Sequence, residues 1–153
     1  MRRIAVIVAL VVVTGSPAQT PGGKRYGMEP DVEAYPQKTP KEALASILKA
    51  IDAGRIDYLL AHLADPQFVD ERVKSYAGGF DDLVKETTTK FSQDAASIKE
   101  MRRILREGAW QEGDASASAH LKDKERTVFL KKIGDRWYLE NRNKGEKGEA
   151  GKP

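Results

Sequence analysis

Residues 109–140 read AWQEGDASASAHLKDKERTVFLKKIGDRWYLE, and across them the apolar spacing changes from the helical 3.6 to the strand period of 2. Gly134-Asp135 is a two-residue hairpin loop whose twist suits the strands it joins, so Lys132 falls opposite Trp137 and Leu130 opposite Leu139. A four-residue loop over Lys122–Glu125 then sets Ala119 against Val128 and Ala117 against Leu130. A second two-residue loop at Gly113-Asp114 sets Trp110 against Ala117. Opposed residues share a face. One face therefore carries Trp110, Ala115, Ala117, Ala119, Val128, Leu130, Trp137 and Leu139, interrupted only by Lys132. The other carries Ser116, Ser118, His120, Thr127, Phe129, Lys131, Tyr138 and Glu140. This is an antiparallel meander of three to four strands whose apolar face needs a cover, and its alanines leave room for large side chains from that cover.

The cover lies upstream. Thr39-Pro40-Lys41-Glu42 is a capping box with proline at the first helical position, followed by Ala43, Leu44, Ile47, Leu48 and Ile51 on one face until Gly54. Ile56, Leu59, Leu60 and Leu63 predict a short second helix, and Asp65-Pro66 caps a third that carries Phe68, Val69, Val73 and Tyr76. Phe80, Leu83, Val84, Thr87 and Phe91 predict a fourth helix despite its three consecutive threonines, and Asp94 caps a fifth with Ile98, Met101, Ile104 and Leu105. The fold class is α+β, with N-terminal helices on one face of a C-terminal meander.

Outside this unit the chain changes character. Met1-Arg2-Arg3, an uncharged apolar run from Ile4 to Val13 and the small residues Ser16 and Ala18 have the three parts of a secretory signal peptide, with cleavage expected after Ala18. Residues 1–18 are thus read as a signal peptide of a bacterial type, and the protein as exported, periplasmic or secreted. Residues 19–38 hold prolines and glycines without periodicity and read as an extended or disordered flexible linker, although Tyr26, Met28, Val32 and Tyr35 offer docking contacts. The ordered domain spans 39–142, and 143–153 is a polar Gly/Lys/Glu tail. Loss of Arg2 and Arg3 lowers the formal net charge of +3 by two, which argues against a global nucleic-acid footprint. The apolar run is shorter than the roughly 20 residues of a spanning helix, so no membrane span is expected after cleavage. With no cysteine in the chain, disulfides, thiolate metal sites and thiol catalysis are excluded.

Thr-Pro-Lys-Glu-Ala at 39–43, the amphipathic helix to Gly54, Leu-Ala-Asp at 63–65 and the closing hairpin Gly134-Asp135-Arg136-Trp137-Tyr138-Leu139 together resemble the NTF2-like superfamily. The resemblance covers the start and end of the domain, and the stretch from Pro66 to Gly108 is more helical than that family's usual pattern. It implies a cone-like α+β fold with a cavity between helices and sheet, often dimeric through the outer sheet face. Such folds host both isomerase-like enzymes and non-catalytic binding domains, so the fold decides no function.

No phosphate loop, nucleophile elbow or closely spaced ligand cluster occurs, so no cofactor, metal or catalytic residue is assigned. His62 is read as a surface or helix-terminal residue, and His120 as a member of a polar row with Ser116 and Ser118. The ligand cavity is expected over Trp110, Ala117, Leu130, Trp137 and Leu139, and the dimer face over Ser118, Phe129, Lys131 and Tyr138. Lys99, Arg102, Arg103 and Arg106 share one arc of the fifth helix. They are a candidate anionic-partner site, weighed against an ordinary solvated face. The resulting expectation is an exported, non-catalytic domain that binds a small apolar ligand or a protein partner. A cavity enzyme acting on a small hydrophobic substrate stands second, and an anionic-surface binder third.

Overall fold

The capping box forms as its residues dictate. The Thr39 hydroxyl accepts from the Glu42 N–H at 3.1 Å, and the Glu42 carboxylate accepts from the Thr39 N–H at 3.3 Å. Pro40 opens α1 (Pro40–Asp52), where its missing N–H leaves no bond unmade. In this computed structural model, which describes residues 22–142, four further helices follow. They are α2 (Ile56–Tyr58), α3 (Pro66–Val73), α4 (Gly79–Gln93) and α5 (Ala95–Glu107). The strands β1 (Ala109–Glu112), β2 (Ser116–His120), β3 (Thr127–Ile133) and β4 (Arg136–Glu140) then form one antiparallel meander in the order β1-β2-β3-β4. The fold is α+β, with the helices packed against the sheet. The signal segment at 1–18 and the tail at 143–153 lie outside the described residues.

The other two expected helix caps are also made. The Asp65 carboxylate accepts from the Gln67 N–H at 3.1 Å, and the Asp94 carboxylate accepts from the Ser97 N–H at 3.1 Å. Helix α4 runs through its threonines. The hydroxyls of Thr88 and Thr89 donate to the Val84 and Lys85 carbonyls, at 2.8 and 3.0 Å, one turn back.

The second helix departs from expectation. After one turn of α2 the chain widens into a π-helical turn over Leu59–Leu63, closed by the Ala64 N–H donating to the Leu59 carbonyl five residues back at 2.8 Å. All five residues of the turn are buried. The wider turn carries His62 inward, where a regular 3.6-residue spacing placed it on the flank. His62 is 2% exposed, which overturns the surface half of its reading, while its place in the last turn of the helix agrees with the helix-terminal half.

The register of the two closing hairpins is the one the turns predict. Lys132 pairs with Trp137 and Leu130 with Leu139, while Ala117 pairs with Leu130 and Ala119 with Val128. Gly134 takes φ 62°, the left-handed conformation that a two-residue loop needs at its first position. Gly113 is not among the positive-φ glycines, so the expected two-residue loop at Gly113-Asp114 does not form. The two-residue loop falls one position later, at Asp114-Ala115, with Gly113 opposite Ser116, and the Gly113 N–H donates to the Ser116 carbonyl at 2.8 Å. Trp110 therefore pairs with Ala119 instead of Ala117. A shift of two preserves the face, so the inner surface keeps its composition. Ala115 lies beyond the strand and is exposed, and Trp110, on the edge strand, is only half-buried.

Ala117 and Ala119 are buried at the middle of this face. Ala117→Leu should overpack the core and cost about 1–3 kcal/mol. The readout is the urea unfolding midpoint, and an unchanged midpoint would place Ala117 at the surface.

Residues 22–38 have little regular structure, yet they dock on the domain. The Trp137 N–H donates to the Gln37 carbonyl at 2.9 Å, and Gln37 Nε2 donates to the carbonyls of Trp137 and His62 at 2.8 and 3.0 Å. Further along the same edge the Asp65 N–H donates to the Leu139 carbonyl at 2.9 Å. These bonds occupy the outer edge of β4, the position at which a sheet would otherwise accept a foreign strand. Arg25, 1% exposed, anchors the segment. It donates from Nε to the Ala61 carbonyl at 2.9 Å and from Nη2 to the Pro66 carbonyl at 3.4 Å, and it pairs with the Asp70 carboxylate. The Tyr26 ring stacks on Phe80 at 3.9 Å between centroids, and its hydroxyl donates to Asp70 at 2.5 Å.

Candidate functional site

The amphipathic helices do not all reach the sheet in the same way. Helix α1 and the π turn sit on β4, whereas α4 packs mainly onto α2, α3 and α5. A cleft of about 660 Å³ opens between α3, α4, α5 and the end of the sheet where β3 begins and β4 finishes. Its floor is apolar: Leu60, Leu83, Phe91, Met101, Val128 and Leu139 contribute. Its charged lining residues are Arg72, Lys90, Asp94, Arg126, Glu140 and Arg142. The volume falls in the ordinary range for small-molecule sites.

Each charged side chain there has a defined neighbour. Lys90 pairs with Glu86, which lies one helical turn away and also stands 3.7 Å from Arg72. The Glu86 carboxyl is held below its usual range chiefly by the hydrogen bond from Lys90. Asp94 is occupied in capping α5, and the hydroxyl and N–H of Ser97 hold its carboxyl below the usual range. Arg126 Nε stands 3.1 Å from Glu100, and Arg142 Nε stands 3.0 Å from Glu140. The Arg142 guanidinium also lies 4.5 Å over the Phe129 ring. The second Glu140 carboxylate oxygen, Oε2, is buried without a hydrogen-bond partner.

Of the residues expected to line a cavity, Leu139 lines this cleft, and Trp110, Ala117, Leu130 and Trp137 are not among its lining. Ala117, Leu130 and Trp137 are packed core, because α1 and the π turn fill the space above the middle of the sheet. Trp110 sits on the β1 edge with Lys41 Nζ 5.8 Å from its ring centroid. The cleft instead draws on Arg72, Lys90, Arg126 and Arg142, which are far apart in sequence and fall on no shared periodicity.

The face expected to be an exposed aromatic dimer patch is partly covered by the chain itself. Tyr138 is 3% exposed. Lys131 Nζ reaches Asp65 at 2.5 Å, Phe129 lies under Arg142, and Ser118 is half-buried. The reason is the chain entering α3, which wraps the β4 edge and covers the adjoining part of this face. On α5, Arg102 donates from Nη1 to Asp52 at 2.9 Å, and Arg103 donates from Nε to Glu107 at 2.7 Å. Lys99 and Arg106 are exposed. Two of the four cations are thus engaged by carboxylates, and they converge on no common point.

His62 is buried against the segment that precedes α1, and its titration is perturbed there. Nε2 lies 3.0 Å from the Met28 carbonyl, and the ring lies 4.9 Å from that of Tyr58. Burial pushes its pKa below the ordinary 6.5; Arg25 and Arg136 act in the same direction, and the Met28 carbonyl opposes them. The unfolded chain therefore takes up this proton first as pH falls. The neutral ring's contribution to stability is complete above about pH 6.5 and declines as pH drops toward the lower folded pKa. Urea midpoints should fall between about pH 7.5 and about pH 5.5, and His62→Gln should flatten that fall. An identical pH dependence in the variant would remove His62 as its source.

Among the described residues no group of three or more His, Asp or Glu side chains is placed to hold a metal ion, and no helix is long and apolar enough to cross a membrane. No family model, curated protein or solved structure matches the chain.

Proposed function

We propose that the protein is an exported, non-catalytic binding domain of NTF2-like type that takes a small apolar ligand in the cleft between α3, α4, α5 and the end of the sheet. The observation that carries this reading is the cleft itself, an apolar floor beneath a rim of charged side chains. The NTF2-like assignment is supported by helices on one face of an antiparallel sheet and by the Thr39–Asp65 segment, and the export by the sequence of residues 1–18.

The test is titration with N-phenylnaphthylamine, a neutral dye that brightens in apolar surroundings. Thr87 lines the cleft on α4, and Thr87→Trp should fill it from the rim and weaken the dye about tenfold or more, with the circular dichroism spectrum retained. Dye that fails to bind, or binds the variant equally well, ends this reading. A cavity enzyme is the second reading, and the observation on its side is Glu140, a carboxylate on an apolar cleft with one oxygen lacking a hydrogen-bond donor.

A further inference from the structure

Two adjacent residues of the π turn, Ala61 and His62, hold residues 22–38 at three places. Arg25 Nε donates to the Ala61 carbonyl at 2.9 Å, Gln37 Nε2 donates to the His62 carbonyl at 3.0 Å, and the His62 ring meets the Met28 carbonyl through Nε2 at 3.0 Å. A carbonyl only accepts, so the neutral ring carries its proton on Nε2 and leaves Nδ1 to take a second one. An imidazolium formed there is opposed from two sides, by Arg25 of the segment and by Arg136 of β4. The carboxylate that acts on it is Glu29, which is exposed and lies 4.0 Å from Lys24. On its own element the ring lies against Tyr58. The buried face of α1 carries no titratable side chain, and on α3 Asp65 is paired with Lys131 and Asp70 with Arg25.

The segment is the part of this contact that can leave. It has little regular structure, and its turn from Arg25 to Met28 holds Tyr26 at φ 47°, a left-handed conformation that a residue with a side chain rarely adopts. The stack on Phe80 and the bond to Asp70 keep it there. We propose that residues 22–38 are an acid-released strap: protonation of His62 at Nδ1 drives the strap off the π turn while the helices and sheet stay folded, and the release opens the β4 edge at Trp137. Release returns His62 and Arg25 to water together. Because burial holds the docked ring's pKa below 6.5, the released state takes up the proton, so docking is complete above about pH 6.5 and weakens below it. What opens is the N–H and the carbonyl of Trp137, both of which the docked Gln37 occupies.

Hydrogen exchange read by mass spectrometry on the whole protein tests this, with each rate corrected for the intrinsic pH dependence of amide exchange. Between about pH 7.5 and about pH 5.5 the protection of residues 22–38 should fall about fivefold or more, a single proton allowing at most about tenfold per pH unit. Strand β3 should keep its protection over the same range. His62→Gln should abolish the fall, and His120→Gln, which changes the chain's other histidine, should leave it in place. Circular dichroism checks that His62→Gln is folded. If it is not, the His62 ring is titrated by NMR in the wild-type protein, and its midpoint must match that of the strap's loosening. Equal loss in the strap and in β3 would mean cooperative unfolding of the whole domain and would overturn the switch. Unchanged protection of the strap would overturn it too, as would a fall that survives in His62→Gln or disappears in His120→Gln.

Discussion

Arg25→Ala should destabilise the domain by about 3–5 kcal/mol, the range for removing one member of a buried charged network. Asp70 is part-exposed, so water screens the ion pair itself. Most of the loss comes from the Ala61 and Pro66 carbonyls, which lose their donors, and from the volume of a side chain that is almost wholly enclosed. Arg25→Met keeps much of that volume and should recover part of the loss, which separates packing from hydrogen bonding. Urea unfolding followed by circular dichroism measures both. A change within about 0.5 kcal/mol for Arg25→Ala would mean that residues 22–38 rest on the domain without contributing to its stability.

Leu130→Ala should be nearly as damaging, at about 2–5 kcal/mol. Leu130 is 0% exposed, stands between Ala117 and Leu139 in the sheet, and has only alanine on one side to move into the space left behind. Lys132, on the same face two residues on, is exposed at the sheet rim, and Lys132→Ala should stay within about 0.5 kcal/mol. The contrast between these two variants tests where the core ends along β3. Equal effects would mean that the helices do not cover the sheet as described.

The sheet was legible because its turns are chemically specific. Gly134-Asp135 admits few backbone paths, and once that loop is placed the pairing of β3 with β4 follows from counting. The loop at Gly113 carries a similar pair of letters with a different conformation, and no local feature of the sequence distinguishes the two. Helix caps at Thr39, Asp65 and Asp94 were legible for the same reason as the turns: each is a bond between neighbours in the chain.

What escaped sequence reading depends on residues brought together from a distance. Arg25 reads as a solvated cation in a segment rich in glycine and proline, and only the carbonyls exposed at the end of the π turn and the start of α3 make it an anchor. The π turn differs from a regular helix by one residue in five, and the four leucine and isoleucine positions satisfy either path. The cleft lies off the centre of the sheet because α1 and the π turn fill that centre. Its location follows from where α4 rests, and periodicity along α4 cannot report that.

The bonds between Gln37 and Trp137 span a hundred residues of sequence. A pairing of that range is made late in folding, since the loop-closure entropy must be met before the contact returns anything. During synthesis the segment before α1 emerges first, yet the strand edge it seals does not exist until nearly the whole domain has been made. Until the pairing closes, β4 once made has an open edge, and the donors of Arg25 that the fold buries are still in water. The two ends of the domain thus close on each other as a latch, and the order of events gives any factor that holds residues 22–38 a means of delaying completion of the fold.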